Sequence, residues 1–285
     1  TREHDSLKIS NGKWCWFSRG IGGKTALDYL IKVKELPFTE AVERIVGRAA
    51  ERPSVFHARA QPEKPKTLLL PPKSNSNTRV IAYLKSRGID GGLIEQCIRS
   101  GQLYESLPYH NAVFVGMDRN GTPRYACLRG IGTDFKGEAT GSDKRFSFAL
   151  PATGESRMLC VFESAIDLLS YATMAQAGGL SWRSQHLLSL AGVYKPQKET
   201  QEHRLPLALT QYLKDHAEIK TICLCLDNDM TGRSATEAIR QQLAERYKVA
   251  SAFPRQGKDY NDWLCIRMGL QPAKENPMTE RSFAR

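Results

Sequence analysis

The chain has 285 residues, which is enough for two modest domains. Its 41 lysines and arginines exceed its 30 aspartates and glutamates, so the formal net charge is +11. Most of this surplus lies in the first 150 residues, which favours a polyanionic partner such as nucleic acid, although basic side chains can also simply solvate a surface. No apolar run approaches the roughly 18 residues that span a bilayer, and no signal-peptide pattern occurs. We therefore expect a cytoplasmic protein with no membrane partner.

The N-terminal region, residues 1–50, predicts a minidomain. The stretch LKISNGKWCWFS predicts a hairpin that turns at Asn11 and Gly12, and it is followed by the glycine-rich loop RGIGG. Helices are expected to begin near Thr25, whose spacing to Asp28 is typical of a capping box, and near Thr39. Residues 51–78 are rich in proline, lysine, serine and asparagine, which predicts a linker.

The central region, residues 79–156, predicts a basic α+β subdomain. Two short helical stretches, RVIAYLKSRG and LIEQCIRSG, precede two strand-like stretches at 111–116 and 124–129. Between these strands lies Asp118-Arg-Asn-Gly121, a strong signal for a hairpin turn. A second turn, in the sequence GSDK, presents Lys144.

From residue 157 to 270 the pattern alternates between strands and helices. The order is LCVFE (strand), SAIDLLSYATMAQA (helix), HLLSLAG (strand), LPLALTQYLKDH (helix), ICLCL (strand) and a helix expected to open at the capping box of Ser234 and Glu237. This alternation predicts an α/β fold with a small doubly wound parallel sheet. Residues 271–285 predict a flexible tail.

Seven cysteines occur, with no C-x-x-C pair and no spacing typical of a disulfide framework. Cys160, Cys223 and Cys225 lie within the apolar strand stretches, so we expect them to be buried, reduced thiols.

Carboxylates follow two of the predicted strands. Asp227 and Asp229 are two positions apart after ICLCL, so an extended backbone would project both to the same side. Glu163 ends LCVFE, and neighbouring parallel strands would bring all three side chains to one edge of the sheet. Such a group suits a hard cation, Mg²⁺ or Mn²⁺. The alternative is that the two aspartates only form a turn and favour the start of the next helix.

These motifs together resemble the Toprim domain shared by bacterial DnaG-type primases, topoisomerases and some nucleases. FESAIDLLSY is similar to the primase segment in which Glu and Gly precede a helix bearing Asp, although Ser164 stands where the family usually has Gly. GKDYND, residues 257–262, resembles the lysine and aspartates at the end of the primase Toprim region. The resemblance implies Glu163, Asp227 and Asp229 as catalytic and metal-binding residues, with Asp259 as a further metal ligand.

The resemblance extends upstream of this domain. Residues 109–150 are similar to the basic subdomain before Toprim in primases, and most similar to the uncharacterised domain that precedes Toprim in many proteins of bacterial mobile elements. It implies that Arg129 and Lys144 bind template or nucleotide. Lys258 would likewise bind phosphates, and Arg233 lies where it could do so or could simply be solvated.

The N-terminal minidomain resembles the primase zinc-binding domain, because WCWFSRGIGGKTALDYL has the form of a zinc knuckle and its following helix. Ser18 occupies the place of the second cysteine, and Cys15 with His4 would supply at most two of about four ligands that a structural zinc needs. We therefore expect a relic without zinc. Its tryptophans, Trp14 and Trp16, either contact single-stranded DNA beside Lys13, Arg19 and Lys24 or form the core of the minidomain.

The function expected from the resemblance is that of a primase-like nucleotidyltransferase acting on single-stranded DNA and nucleoside triphosphates, in the replication or transfer of a mobile element. A Toprim nuclease is the main alternative, because fold and acids do not fix the chemistry. A non-catalytic module that binds single-stranded DNA is the alternative from another class. No P-loop motif occurs in these residues, so any unwinding would come from a partner, such as a helicase or relaxase acting in trans, or from a part of the protein outside these 285 residues.

Overall fold

The computed structural model describes residues 6–10, 13–19, 21–51, 67–192 and 205–272, with the side chains of 46–51 left out. The chain divides into two compact units, residues 1–63 and 64–285. No helix in the described ranges is both long and apolar enough to cross a membrane.

The first unit contains a small antiparallel sheet followed by two helices. Its described elements are β1 (Leu7–Ser10), β2 (Lys13–Trp16), β3 (Ile21–Gly23), α1 (Ala26–Lys32) and α2 (Phe38–Glu51). Strand β2 is central in the order β1-β2-β3. Thr25 caps α1 by accepting the backbone N–H of Asp28, which confirms the predicted capping box.

The two tryptophans of this unit form its core. Trp14 and Trp16 are buried with Leu7 and Val33, and Trp14 packs edge-on against Tyr29 at a centroid distance of 5.7 Å. Of the two alternatives left open for these tryptophans, the structure supports the core of the minidomain, because rings buried in a core cannot stack on bases.

Ser18, which stands where the resemblance expected a zinc-binding cysteine, is bonded to another hydroxyl group. The hydroxyls of Ser6 and Ser18 are hydrogen-bonded at 2.6 Å. His4 lies outside the described residues, and the described part of this unit contains no group of three metal-ligating side chains.

The second unit begins with an extended segment. Residues 67–77, predicted to belong to the linker, pack on this unit instead. Leu68 and Leu70 contact a buried apolar cluster, and Pro71 accepts a hydrogen bond from the Tyr104 hydroxyl at 2.9 Å. Leu68 and Leu70 explain the difference, since the partial burial of their side chains outweighs the linker-like composition around them.

Two sheets organise the rest of the second unit. Its described elements are α3 (Thr78–Ser86), α4 (Gly91–Arg99), β4 (Leu103–Glu105), β5 (Ala112–Met117), β6 (Pro123–Arg129), β7 (Lys136–Glu138), β8 (Ala149–Leu150), β9 (Met158–Phe162), α5 (Ala165–Ala177), β10 (His186–Ser189), α6 (Leu207–Asp215), β11 (Thr221–Cys225), α7 (Met230–Leu243), β12 (Lys248–Ser251) and α8 (Tyr260–Arg267). Strands β4-β5-β6-β7 form an antiparallel sheet, which confirms the predicted hairpin.

The second sheet has the order β12-β11-β9-β10-β8. The first four strands are parallel, and β8 is antiparallel to β10. The predicted α/β fold with a small parallel sheet is confirmed. Because β9 lies between β10 and β11, the loops that follow these strands meet at one edge of the sheet.

The predicted boundary between a subdomain at 79–156 and the α/β domain does not separate two cores. One buried cluster joins Val80 and Leu84 of α3 to Leu168 and Leu169 of α5. The two sheets therefore belong to one packed unit, so side chains from both can reach a common site.

Candidate metal centre

The first acidic loop follows β9. Glu163 is the residue after the strand, and the N–H of Gly192 donates to its carbonyl at 2.9 Å. Ser164, where the resemblance expected glycine, caps α5 by accepting the N–H of Asp167 at 3.3 Å. The serine therefore starts the helix and fixes the backbone next to Glu163.

The second acidic loop follows β11. The strand ends at Cys225, and Asp229 caps α7 by accepting the N–H of Gly232 at 2.8 Å. Two predictions are corrected here. The helix begins at Met230 rather than at Ser234, and the two aspartates lie beyond the strand, because a helix cap requires the chain to leave the extended ladder.

Gly232 allows this loop to be tight. A Cβ atom at Gly232 would overlap the backbone carbonyl of Asp227, so only glycine lets the first turn of α7 approach the loop. Asp227 is held there with 9% of its surface exposed. Asp229 thus starts a helix, as one of the two alternatives expected, and its charge acts on Glu163; its role as a metal ligand stays a prediction.

A third loop, before α8, is tied to the second. The N–H of Asn228 donates to the carbonyl of Lys258 at 2.6 Å, and the Lys258 ammonium lies 3.6 Å from Asp229 Oδ2. Asp259 caps α8 by accepting the N–H of Asp262 at 2.7 Å, and Asp262 accepts the N–H of Lys258. These bonds place the Lys258 ammonium beside Asp229 and put a further carboxylate, that of Asp259, on the loop joined to the second acidic loop.

The pKa values show that the acids lie close enough to repel one another. Burial, and then the charges of Asp167 and Asp229, raise the pKa of Glu163 to about 7. Burial, and then Glu163 and Asp167, raise the pKa of Asp227 to about 9. Burial and Asp167 raise the pKa of Asp259 to about 7. The four acids named from the sequence therefore form one cluster, defined here as Glu163, Asp227, Asp229 and Asp259.

Asp167 is a fifth acid of this site, and it was not among the site residues predicted from the sequence. It is 5% exposed and accepts the Ser164 hydroxyl at 2.5 Å and the Asn261 N–H at 3.3 Å. Burial raises its pKa, while Arg87 and Arg129 oppose the shift. Arg87 follows α3, far away in sequence, so no local pattern could have identified it.

The basic residues predicted for the site take different positions. Arg129 ends β6 and lines a cleft of about 390 Å³ between the sheets, with Ser164 and Ser189 on the opposite wall. Lys144 forms an ion pair with Glu138, which lines the same cleft, at 2.9 Å. Lys258 reaches the acidic cluster directly. Arg233 bonds to Asn228 and lies over the Phe253 ring at 5.0 Å, so it faces the back of the second acidic loop.

The donor set fits a hard divalent cation held partly through water. All the ligand atoms are carboxylate oxygens, which Mg²⁺ and Mn²⁺ prefer. Within the described part of the chain, the groups of three ligand atoms that all lie within 4.8 Å of one another are Cys160, Cys223 and Cys225, and His186, His216 and Glu218. The acidic cluster is more widely spaced, as suits Mg²⁺, which binds through one or two carboxylates and keeps several waters.

The three cysteines lie behind the acidic loops. Cys160 and Cys223 are paired across β9 and β11, and Cys225 follows on the same strand. All three are free thiols, with Cys160 and Cys225 buried and Cys223 half-buried. The prediction that Cys223 is fully buried is wrong, because its position in β11 is not completely covered.

The parallel sheet and its acidic loops define an α/β protein with a candidate divalent-metal site at the carboxyl ends of its strands. Comparison with family models gives a more specific result. Residues 160–264 match the Toprim-like family, and residues 82–154 match a family described as a protein of unknown function (DUF3991). The chain thus carries a Toprim-like domain preceded by this uncharacterised domain, as the sequence resemblance predicted.

Two relatives cover most of this chain. An uncharacterised, plasmid-encoded protein of Bacillus anthracis is 26% identical over 83% of this chain and 69% of its own length. A 65 kDa protein of Zymomonas mobilis subsp. mobilis is 24% identical over 93% of this chain. The chain spans 46% of the length of the latter, about half.

Two solved structures are also similar. The primase fragment of the bacteriophage T7 primase-helicase protein is 18% identical, with a TM-score of 0.45, and the match covers 93% of this chain and 90% of that one. The DnaG catalytic core is 14% identical, with a TM-score of 0.46, and the match covers 68% of this chain and 70% of that one.

Proposed function

We propose that this protein is a primase-like nucleotidyltransferase that acts on single-stranded DNA with Mg²⁺ or Mn²⁺. The observation that carries the proposal is the convergence of Glu163, Asp227, Asp229 and Asp259 at the carboxyl ends of β9 and β11, within a Toprim-like domain. The net charge of +11 supports a polyanionic partner.

The acidic cluster would hold one or two cations through its carboxylates. When bound, the cations would neutralise triphosphate oxygens and stabilise the attacking and leaving oxygens of the transfer. Lys258, next to Asp229, would bind a phosphate oxygen on the same side. Its placement supports this role because an ammonium donates hydrogen bonds to phosphate and adds a positive charge where negative charge accumulates.

The cleft beside the cluster would hold the nucleotide or template. Arg129 lies on one wall, and its position near Asp167 supports a role at the junction of the two sheets. A guanidinium there would bind phosphate by two parallel hydrogen bonds. Lys144 would join it by exchanging its ion pair with Glu138 for a phosphate. Arg233 would contact template backbone only after leaving Phe253.

The plasmid-encoded relative supports a place in the replication or transfer of a mobile element. In that setting the duplex would be opened by a separate helicase or relaxase, and this protein would act on the single strand that results.

The test is a synthesis assay with the 285-residue chain. Single-stranded templates are incubated with labelled ribo- or deoxyribonucleoside triphosphates and Mg²⁺ or Mn²⁺, and products are separated on a denaturing gel. The native protein should make labelled oligomers. The double variant Asp227→Asn, Asp229→Asn should make none, because asparagine keeps the helix cap of α7 but removes both charges.

Asp90→Asn is the matched control. Asp90 caps α4 by accepting the N–H of Leu93 at 2.9 Å, so this variant makes the same chemical change in a cap outside the acidic cluster and should keep activity. If the template were shortened and no oligomers were made, the proposed activity would change from primase to nuclease. Equal DNA binding by native protein and double variant, with no chemistry from either, would overturn the enzymatic proposal in favour of a binding module.

A further inference from the structure

A second group of potential metal ligands lies at the other end of the parallel sheet. His186 is the first residue of β10, His216 follows the end of α6, and Glu218 lies shortly before β11. Strands β9 to β11 rise about 3.3 Å per residue, so four or five residues of sheet separate this group from the acidic cluster, roughly 15 Å. The two sites therefore do not share an ion.

We propose that His186, His216 and Glu218 form a binding site for a borderline transition-metal cation such as Zn²⁺. One ligand atom from each side chain lies within 4.8 Å of the other two. Glu218 Oε1 is 3.0 Å from His216 Nδ1 and 3.8 Å from His186 Nε2. Two imidazoles and one carboxylate, with a fourth position open to water, are a ligand set that zinc adopts in proteins.

A buried nitrogen without a partner is the second observation. His186 is 3% exposed, and its Nε2 atom is buried with no hydrogen-bond partner among the described residues, which is unusual for a polar atom in a protein interior. This nitrogen points toward Glu218 but remains beyond hydrogen-bond distance of it. A cation between the three side chains would use the nitrogen's lone pair.

The surroundings of His186 provide the support that a metal-binding histidine needs. Its Nδ1 lies 3.0 Å from the Tyr212 hydroxyl, whose oxygen can accept a hydrogen bond from a protonated Nδ1 while Nε2 binds metal. The N–H of Ala152 donates to Nδ1 at the longer distance of 3.4 Å, and a proton on Nδ1 would replace this bond. Tyr212 stacks on His216 with the ring centroids 4.3 Å apart, so one side chain orients both imidazoles.

The charge and exposure of the group also suit a cation. Burial, and then the neighbouring His216, lower the pKa of His186, which favours the neutral imidazole that binds metals. The side chain of Glu218 is 47% exposed and that of His216 is 19% exposed, so an ion can enter from solvent. The buried cysteine group is less suitable, because three thiolates around a divalent ion would leave an uncompensated negative charge in the core.

The experiment measures metal binding by the 285-residue chain after treatment with a chelator. Zn²⁺ is titrated in competition with a chromophoric chelator, and Co²⁺ is titrated by its visible absorption. The native protein should bind one equivalent tightly. His216→Ala and Glu218→Gln should each weaken binding about 10- to 100-fold or more, and Tyr212→Phe about 10-fold, since a partner behind a ligand typically has an effect of this size.

Two controls separate this site from others. Asp215→Asn removes a carboxylate next to His216 that is not in the group, and the double variant Asp227→Asn, Asp229→Asn removes charge from the acidic cluster. Both should bind Zn²⁺ like the native protein. Absence of tight binding, or equal binding by native protein, His216→Ala and Glu218→Gln, would overturn the proposal. These two positions are not fully buried, so the test does not depend on a His186 variant that could fail to fold.

Discussion

The repulsion within the acidic cluster should make the metal-free protein less stable as the pH rises, and Glu163 allows this effect to be isolated. The pKa of Glu163 is raised from its ordinary value of 4.5 to about 7 in the folded protein. A carboxyl with a raised folded-state pKa contributes stability that is fully present below pH 4.5 and is lost as the pH rises through about 7. At 1.36 kcal/mol per pH unit, the difference of 2.5 units corresponds to at most about 3 kcal/mol.

The measurement compares the native protein with Glu163→Gln by urea unfolding at a series of pH values between 5 and about 8, with a chelator present. The stability of the variant relative to the native protein should increase by up to about 3 kcal/mol across this range, because glutamine cannot ionise. Glu245→Gln, which alters an exposed glutamate, is the matched control and should follow the native protein.

Addition of Mg²⁺ should remove most of the difference by stabilising the native protein alone. A constant difference between native protein and Glu163→Gln across the pH range would refute the reasoning, since it would mean that Glu163 is neither buried nor close to other charges in the folded state. A difference of the opposite sign would place Glu163 beside a net positive charge.

Two further substitutions test how the loops are held. Gly232→Ala should lower the free energy of unfolding by roughly 1–3 kcal/mol and reduce synthesis, because its Cβ would overlap the carbonyl of Asp227; urea unfolding and the synthesis assay measure the two effects. Asn261→Ala should lower the free energy of unfolding, measured with urea, by roughly 1–3 kcal/mol. The buried side-chain amide of Asn261 donates to the Arg87 carbonyl at 3.0 Å and to the Ser170 hydroxyl at 2.9 Å, and the variant loses both bonds. Unchanged stability of either variant would show that the contact in question is not needed.

The parallel sheet was predictable because its signals are local. Apolar runs such as that ending at Cys225 alternate with helices that begin at recognisable caps, of which Ser164 at the start of α5 is one. The start of α7 was misplaced because two cap signals compete. Ser234 fits a capping box, but Asp229 comes first and already satisfies a backbone donor, so the helix starts there.

The site was only partly predictable because its members are brought together by the fold. Asp227 and Glu163 stand at strand ends, where sequence gives their location. Arg87 and Asn261 are hydrogen-bonded to each other although they are 174 positions apart in the sequence. Contacts between such distant positions leave no periodic signal. Leu68 and Leu70 show the opposite error, since proline and lysine around them suggested a linker while their partial burial attaches the segment to the sheet.

The helices that start at this edge of the sheet offset part of the repulsion between the acids. Asp229 and Asp259 are the caps of α7 and α8, and Glu163 precedes the cap of α5, so three positive helix ends face the cluster. Each is worth about 0.3–1 kcal/mol, which gives roughly 1–3 kcal/mol in total. Glu163 alone can account for about 3 kcal/mol of repulsion and burial, and Asp227 adds to it. The helix ends therefore offset only part of the repulsion, and Lys258 and Arg87 add positive charge beside Glu163 and Asp259.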